Sequence, residues 1–233
     1  SESEELRRKL EELEKELRDV LTKDRKMLED LKRRLDKLVK DSERRIRELK
    51  RRLDEKIKDE DVKRVITRLV EEIKRVNEEV KKALEDVLRE LRKVSEDIAR
   101  LLKRVIDDIR RVLEELDRTT DKETADRLLK RLKEIIDKVR EDVKRLNDKL
   151  RELVDRVRKR VEELHTRLRE LLKKLNLPRE IVEELRKVIE DHERLVREIL
   201  ELLRKAIDDN HKLVRDLLER LKRALDETRE DRR

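Results

Sequence analysis

Of the 233 residues, 71 are Lys or Arg and 63 are Asp or Glu, giving a formal charge of +8, and the chain has no Gly, Cys, Phe, Trp or Tyr. Without glycine there is no P-loop, dinucleotide fingerprint or nucleophile elbow, and without cysteine no thiol nucleophile, disulfide framework or thiolate metal site. The 34% of apolar residues recur at helical spacing through nearly the whole chain, which favours long helices over disorder.

The first helix is expected over about 2–57, opened by a capping box of Ser1 and Glu4. Its apolar stripe runs Leu17, Leu21, Asp24, Leu28, Leu31, Leu35 and then repeats as Leu35, Val39, Ser42, Ile46, Leu49, Leu53. The second helix, about 61–117, is capped by Asp59 and carries a wider stripe that includes Val62, Val70, Val80, Val87 and Ala99. Thr120 and Glu123 repeat the capping box at the start of a third helix, about 121–175. Asn176 is suited to the left-handed residue that closes it, and Pro178 to the first position of a fourth helix, about 178–229. Loops this short force consecutive helices to run antiparallel, so residues 1–233 read as one all-α, up-down-up-down four-helix bundle. The stripes repeat every 18 residues, five turns of 3.6, and a repeat that matches the natural helical period predicts nearly straight helices with little supercoiling.

Only 18 residues are uncharged polar or His, and most of them serve caps and loops. Those that interrupt the stripes come as Asp24 and Ser42, Asn77 and Ser95, Asn147 and His165, His192 and Asn210, one pair per helix, each pair separated by the same 18 residues. Reflection about each loop places Ser42, Asn77, His165 and His192 at one height, with Ser42 meeting Asn77, Asn77 meeting His165, and His165 near His192. At a second height Asp24 meets Ser95, Ser95 meets Asn147, and Asn147 lies near Asn210 and His211. Grouping follows from cost: a buried donor or acceptor without a partner costs ~1 to 3 kcal/mol, and a connected set avoids the penalty while fixing helix register.

A glycine-free, aromatic-free chain with capped helices, an 18-residue repeat and buried Ser, Asn and His groups resembles computationally designed helical bundles with buried hydrogen-bond networks. The resemblance covers the whole chain. It implies a stable scaffold without an evolved activity, whose polar layers specify pairing. Asp24 departs from the pattern, being a carboxylate among otherwise neutral groups.

Other chemistries are weighed against that frame. His165 and His192 could supply half of a tetrahedral metal site, but a neutral pair completing the Ser42 and Asn77 layer is the favoured reading. Glu162 has the Glu-x-x-His spacing of di-metal bundles, yet Lys144 fills the same slot one repeat earlier and places it on the solvent face. No metal, cofactor or catalytic residue is therefore expected, and the chain is not read as an enzyme. Asp24 and His211 suggest an acid–base dyad only in isolation, since no nucleophile accompanies them. Buried His165 and His192 also raise the alternative of a pH-responsive building block.

The sequence pI near 9.5 comes from bases interleaved with acids and without aromatic stacking platforms, so no nucleic-acid partner is expected. No apolar run approaches the ~20 residues of a membrane span, and no leader pattern is present, so a soluble, cytoplasmic product is expected. No partner is required, although the apolar-rich second helix or exchange of helical hairpins could support a homo-oligomer.

Overall fold

The computed structural model describes the backbone of residues 2–231 and the side chains of residues 4–227. Four helices make up the fold: α1 (Glu2–Lys56), α2 (Glu60–Arg118), α3 (Lys122–Lys174) and α4 (Arg179–Asp231). No strand occurs among the described residues, and the protein is an all-α four-helix bundle. The chain divides into two compact units, to each of which every helix contributes one segment. The first comprises residues 1–28, 90–151 and 206–233, the second residues 29–89 and 152–205.

The helix ends follow local hydrogen bonding. The Asp59 carboxylate accepts from the Asp61 amide at 3.0 Å, so Asp59 caps α2 as its position predicts. At α3 the capping residue is Asp121, not Thr120. Its carboxylate accepts from the Glu123 and Thr124 amides at 3.4 and 3.3 Å and from the Thr124 hydroxyl at 2.9 Å. A carboxylate offers two acceptor oxygens to the unpaired amides of the first turn where a threonine offers one, and its charge suits the positive end of the helix. The expected left-handed closure at Asn176 is also absent, since none of the described residues has positive φ. Instead, the Pro178 carbonyl accepts from the Ile181 and Val182 amides, which places Pro178 at the cap of α4, one position earlier than expected. Ser1 lies outside the described residues.

In the first unit, pairs of Arg7 with Asp117 and Arg110 with Glu14 join α1 to α2. Lys9 with Glu227 joins α1 to α4, and Arg140 with Glu219 joins α3 to α4. In each case one partner's number falls as the other's rises, as antiparallel neighbours require. In the second unit, Arg45 with Asp191 ties α1 to α4, Arg160 with Glu79 ties α2 to α3, and Arg204 with Asp155 ties α3 to α4. All are surface pairs that steer pairing more than they stabilise it. Stability comes from the apolar stripes. Leu10, Leu91, Ile109, Leu129 and Leu225 are almost fully buried in the first unit, and Leu35, Leu49, Ile73, Leu84 and Ile189 in the second.

In the wider stripe of α2, Val70, Val80 and Val87 are each at most 1% exposed, whereas Val62 and Ala99 are half-buried. The stripe of α4 has one exception: Leu213 is 44% exposed although it follows Asn210 at helical spacing. It is the one large apolar side chain left exposed among the described residues.

Candidate functional site

Each unit holds one cluster of buried polar side chains. In the second unit, Ser42 of α1 and Asn77 of α2 are half-buried, and the Asn77 amide donates to the Ser42 hydroxyl oxygen at 2.6 Å. On the opposite side, His165 of α3 and His192 of α4 are buried, with Nε2 of His165 and Nδ1 of His192 2.9 Å apart. Their rings lie 5.1 Å apart at a tilt of 35°.

The protons in this pair follow from one fixed acceptor. His165 Nδ1 lies 2.8 Å from the Val161 carbonyl, one turn back on α3, and a carbonyl can only accept. His165 therefore carries its proton on Nδ1, and in the neutral ring Nε2 is a lone pair. His192 Nδ1–H must then donate to it, which leaves His192 Nε2 as a bare acceptor. Both rings are held neutral. Burial pushes His192 down to about 3, with His165 adding repulsion. Burial also lowers His165, against opposing contributions from the Val161 bond and Glu193.

Ser42 and His192 line a cavity of about 330 Å³, together with Asn77 and apolar side chains of α1 and α2. No hydrogen bond joins Asn77 to His165, so the expected single layer is present as two pairs flanking this space. The reason is side-chain reach. Ser, Asn and Val, in place of longer Leu, at Ser42, Asn77, Val39 and Val80 leave the centre unfilled.

In the first unit, Asp24 of α1 is 8% exposed and Asn210 of α4 is 6% exposed, and the Asn210 amide donates to the Asp24 carboxylate at 2.5 Å. Asn147 of α3, buried, donates through Nδ2 to Nδ1 of half-buried His211 of α4 at 2.9 Å. His211 is thus neutral with its proton on Nε2, and burial lowers its affinity for a second proton, helped by Arg151 and Arg215. Asp24 has the opposite tendency: burial raises it from 3.8 to about 6, which the Asn210 bond only partly resists.

The expected contacts of Ser95 with Asp24 and Asn147 are not formed. Ser95 is half-buried on α2 and makes no side-chain hydrogen bond, because Asp24 turns to α4 across the face that closes the ring. Reflection about the loops does not reach that face, since no loop joins α1 to α4. Continuing the same height argument around the ring would have found the Asp24–Asn210 pair. Asp24 and His211 have different partners, so the two do not form a dyad. Glu162 is exposed and pairs with Arg158. Among the described residues no group of three or more His, Cys, Asp or Glu is arranged to hold a metal ion, and no helix is long and apolar enough to cross a membrane.

No protein-family model matches the chain, and no curated protein matches it. Among solved structures, a computationally designed three-helix bundle is similar over 84% of this chain and 88% of that one, with 21% sequence identity and a TM-score of 0.46.

Proposed function

We propose that this protein is a designed structural scaffold, without enzymatic activity, whose buried polar side chains specify which helices pair and at what register. The observation that carries the reading is that the four bonds between polar side chains of the two clusters each bridge different helices: Asp24 to Asn210, Ser42 to Asn77, Asn147 to His211 and His165 to His192. Sliding a helix by one turn would set these groups against Leu or Ile and leave each unpaired, at a cost of ~1 to 3 kcal/mol per group.

The test separates pairing from mere burial. His165→Leu alone should destabilise the protein, because it strands the His192 Nδ1–H. His165→Leu with His192→Leu should recover that loss, since replacing both members by apolar groups removes the desolvation cost as well. Equal losses from the single and double variants would contradict the pairing role.

A second reading, response to acid, is favoured by the same pair. A proton added to His165 must go to Nε2, where the His192 Nδ1–H already donates, and one added to His192 must go to Nε2, where burial opposes the charge. Glu193, Arg169 and Arg197 are the charged groups that act on His165. Glu43, Arg47, Lys74, Glu78 and Lys81, from α1 and α2, line the cavity that His192 also lines. Bases outnumber acids in that set, so little nearby charge compensates a second proton.

A further inference from the structure

The cavity in the second unit has a property that scaffolding does not require. Leu35, Leu38, Ile46 and Leu84 are among the apolar side chains that line it, and five charged side chains of α1 and α2 line it as well. Into it faces His192, a side chain 8% exposed whose only hydrogen bond is made through Nδ1. His192 Nε2 is not among the fully enclosed atoms that lack a partner, so its lone pair retains accessible surface, and the opening that His192 lines is this cavity. The proton order fixed by the Val161 carbonyl makes that nitrogen an acceptor. On the opposite side Ser42 receives the Asn77 amide and keeps its own O–H free to donate.

We propose that this cavity is a binding site for small neutral phenols, with the ligand hydroxyl donating to His192 Nε2 and its ring packed against the leucine and isoleucine walls. Volume, polarity and charge each restrict the ligand. About 330 Å³ is roughly twice the ~150 Å³ of an apolar cavity that holds benzene, so one ring fits with room for substituents. A bare acceptor among apolar walls calls for one strong donor. Carboxylates and ammonium ions would lose their hydration without an opposite charge at the floor, since the charged side chains Glu43, Arg47, Lys74 and Glu78 are exposed and Lys81 is half-buried at the margin. A phenol supplies the donor on a rigid ring that loses little conformational freedom on binding.

The site is tested by titrating the intact protein with phenol at pH 7.5, following the imidazole nitrogens by long-range 1H–15N correlation, with anisole as the control that has the ring and oxygen but no O–H. Saturable binding is expected, with the His192 Nε2 resonance moving toward the hydrogen-bonded position and the Nδ1 signals of both rings retained. Phenol should bind about tenfold more tightly than anisole, the factor that one net hydrogen bond of about 1.4 kcal/mol supplies. His192→Leu should reduce that preference to about one. Absence of saturable shifts, equal affinity for the two compounds in the unmodified protein, or shifts confined to residues outside the cavity would each overturn the proposal. The comparison of phenol with anisole needs no variant, so a folding defect in His192→Leu does not affect it.

Discussion

Asp24→Asn isolates the least expected residue of the core. The substitution preserves shape and leaves an oxygen to accept from Asn210, but removes the group that ionises. In the folded protein Asp24 is 8% exposed and its carboxyl is raised from 3.8 to about 6. A folded value above the unfolded one means that Asp24 favours folding fully below 3.8, and that this contribution is lost as pH rises through about 6. At about 1.4 kcal/mol per tenfold change, the full difference is roughly 3 kcal/mol, all of it weighing against the wild type by pH 7. At pH 4 the folded carboxyl is neutral, and the same linkage leaves a difference of only about 0.6 kcal/mol. Unfolding by guanidinium chloride, followed by circular dichroism at constant salt from pH 4 to 7, should therefore show Asp24→Asn gaining on the wild type at each step and leading by roughly 3 kcal/mol at pH 7. A lead that is the same at every pH, or a wild type that is more stable at pH 7, would refute the argument that burial dominates this carboxyl.

The histidine pair has the opposite sign. His192 is lowered from 6.5 to about 3, so its stabilising contribution is complete above 6.5 and lost as pH falls toward 3. In the Asp24→Asn background, where the carboxylate no longer compensates, lowering pH from 7 to 4 should cost roughly 3 kcal/mol that the His165→Leu, His192→Leu double variant does not lose, read by the same unfolding curves. At the start of α3, Asp121→Ala should lower the thermal unfolding midpoint whereas Thr120→Ala should leave it nearly unchanged. In α4, Leu203→Ala should cost ~2 to 5 kcal/mol, because Leu203 is fully buried, while Leu213→Lys should change the unfolding free energy by less than about 0.5 kcal/mol.

Much of this architecture is legible in the residue pattern because the chain is so regular. With no glycine and a single proline, helix breaks can fall only where the apolar stripe lapses, and the helix ends lie within a residue or two of their expected positions. Asp59 is readable as a cap because it immediately precedes a periodic segment. Asp121 was obscured by Thr120, whose spacing to Glu123 fits a known motif but whose hydroxyl is outcompeted by the neighbouring carboxylate. The Ser42–Asn77 bond and the meeting of His165 with His192 follow from reflection about the loops. The Asp24–Asn210 bond follows only when the heights are carried on around the ring, because no loop joins α1 to α4. The exposure of Leu213 escapes periodicity for a related reason: helical spacing gives a direction on the helix, and whether that direction is covered depends on the neighbour's side chains. The cavity was hidden because it is a deficit of volume, visible only once the short side chains at Ser42, Asn77, Val39 and Val80 are placed opposite one another.

Register is the property on which the account rests, and spin labels report it within one unit. With Arg158→Cys on α3 and Glu198→Cys on α4, both exposed and both in the second unit, pulsed electron resonance should give a single narrow distance distribution. The same labels in a chain whose Ser42, Asn77, His165 and His192 are all replaced by Leu should give a broadened distribution or a second population, consistent with slippage by one helical turn of about 5.4 Å. An equally narrow, unshifted distribution in the all-leucine chain would show that the apolar stripes and loops set the register alone, and that the buried polar pairs do not specify it.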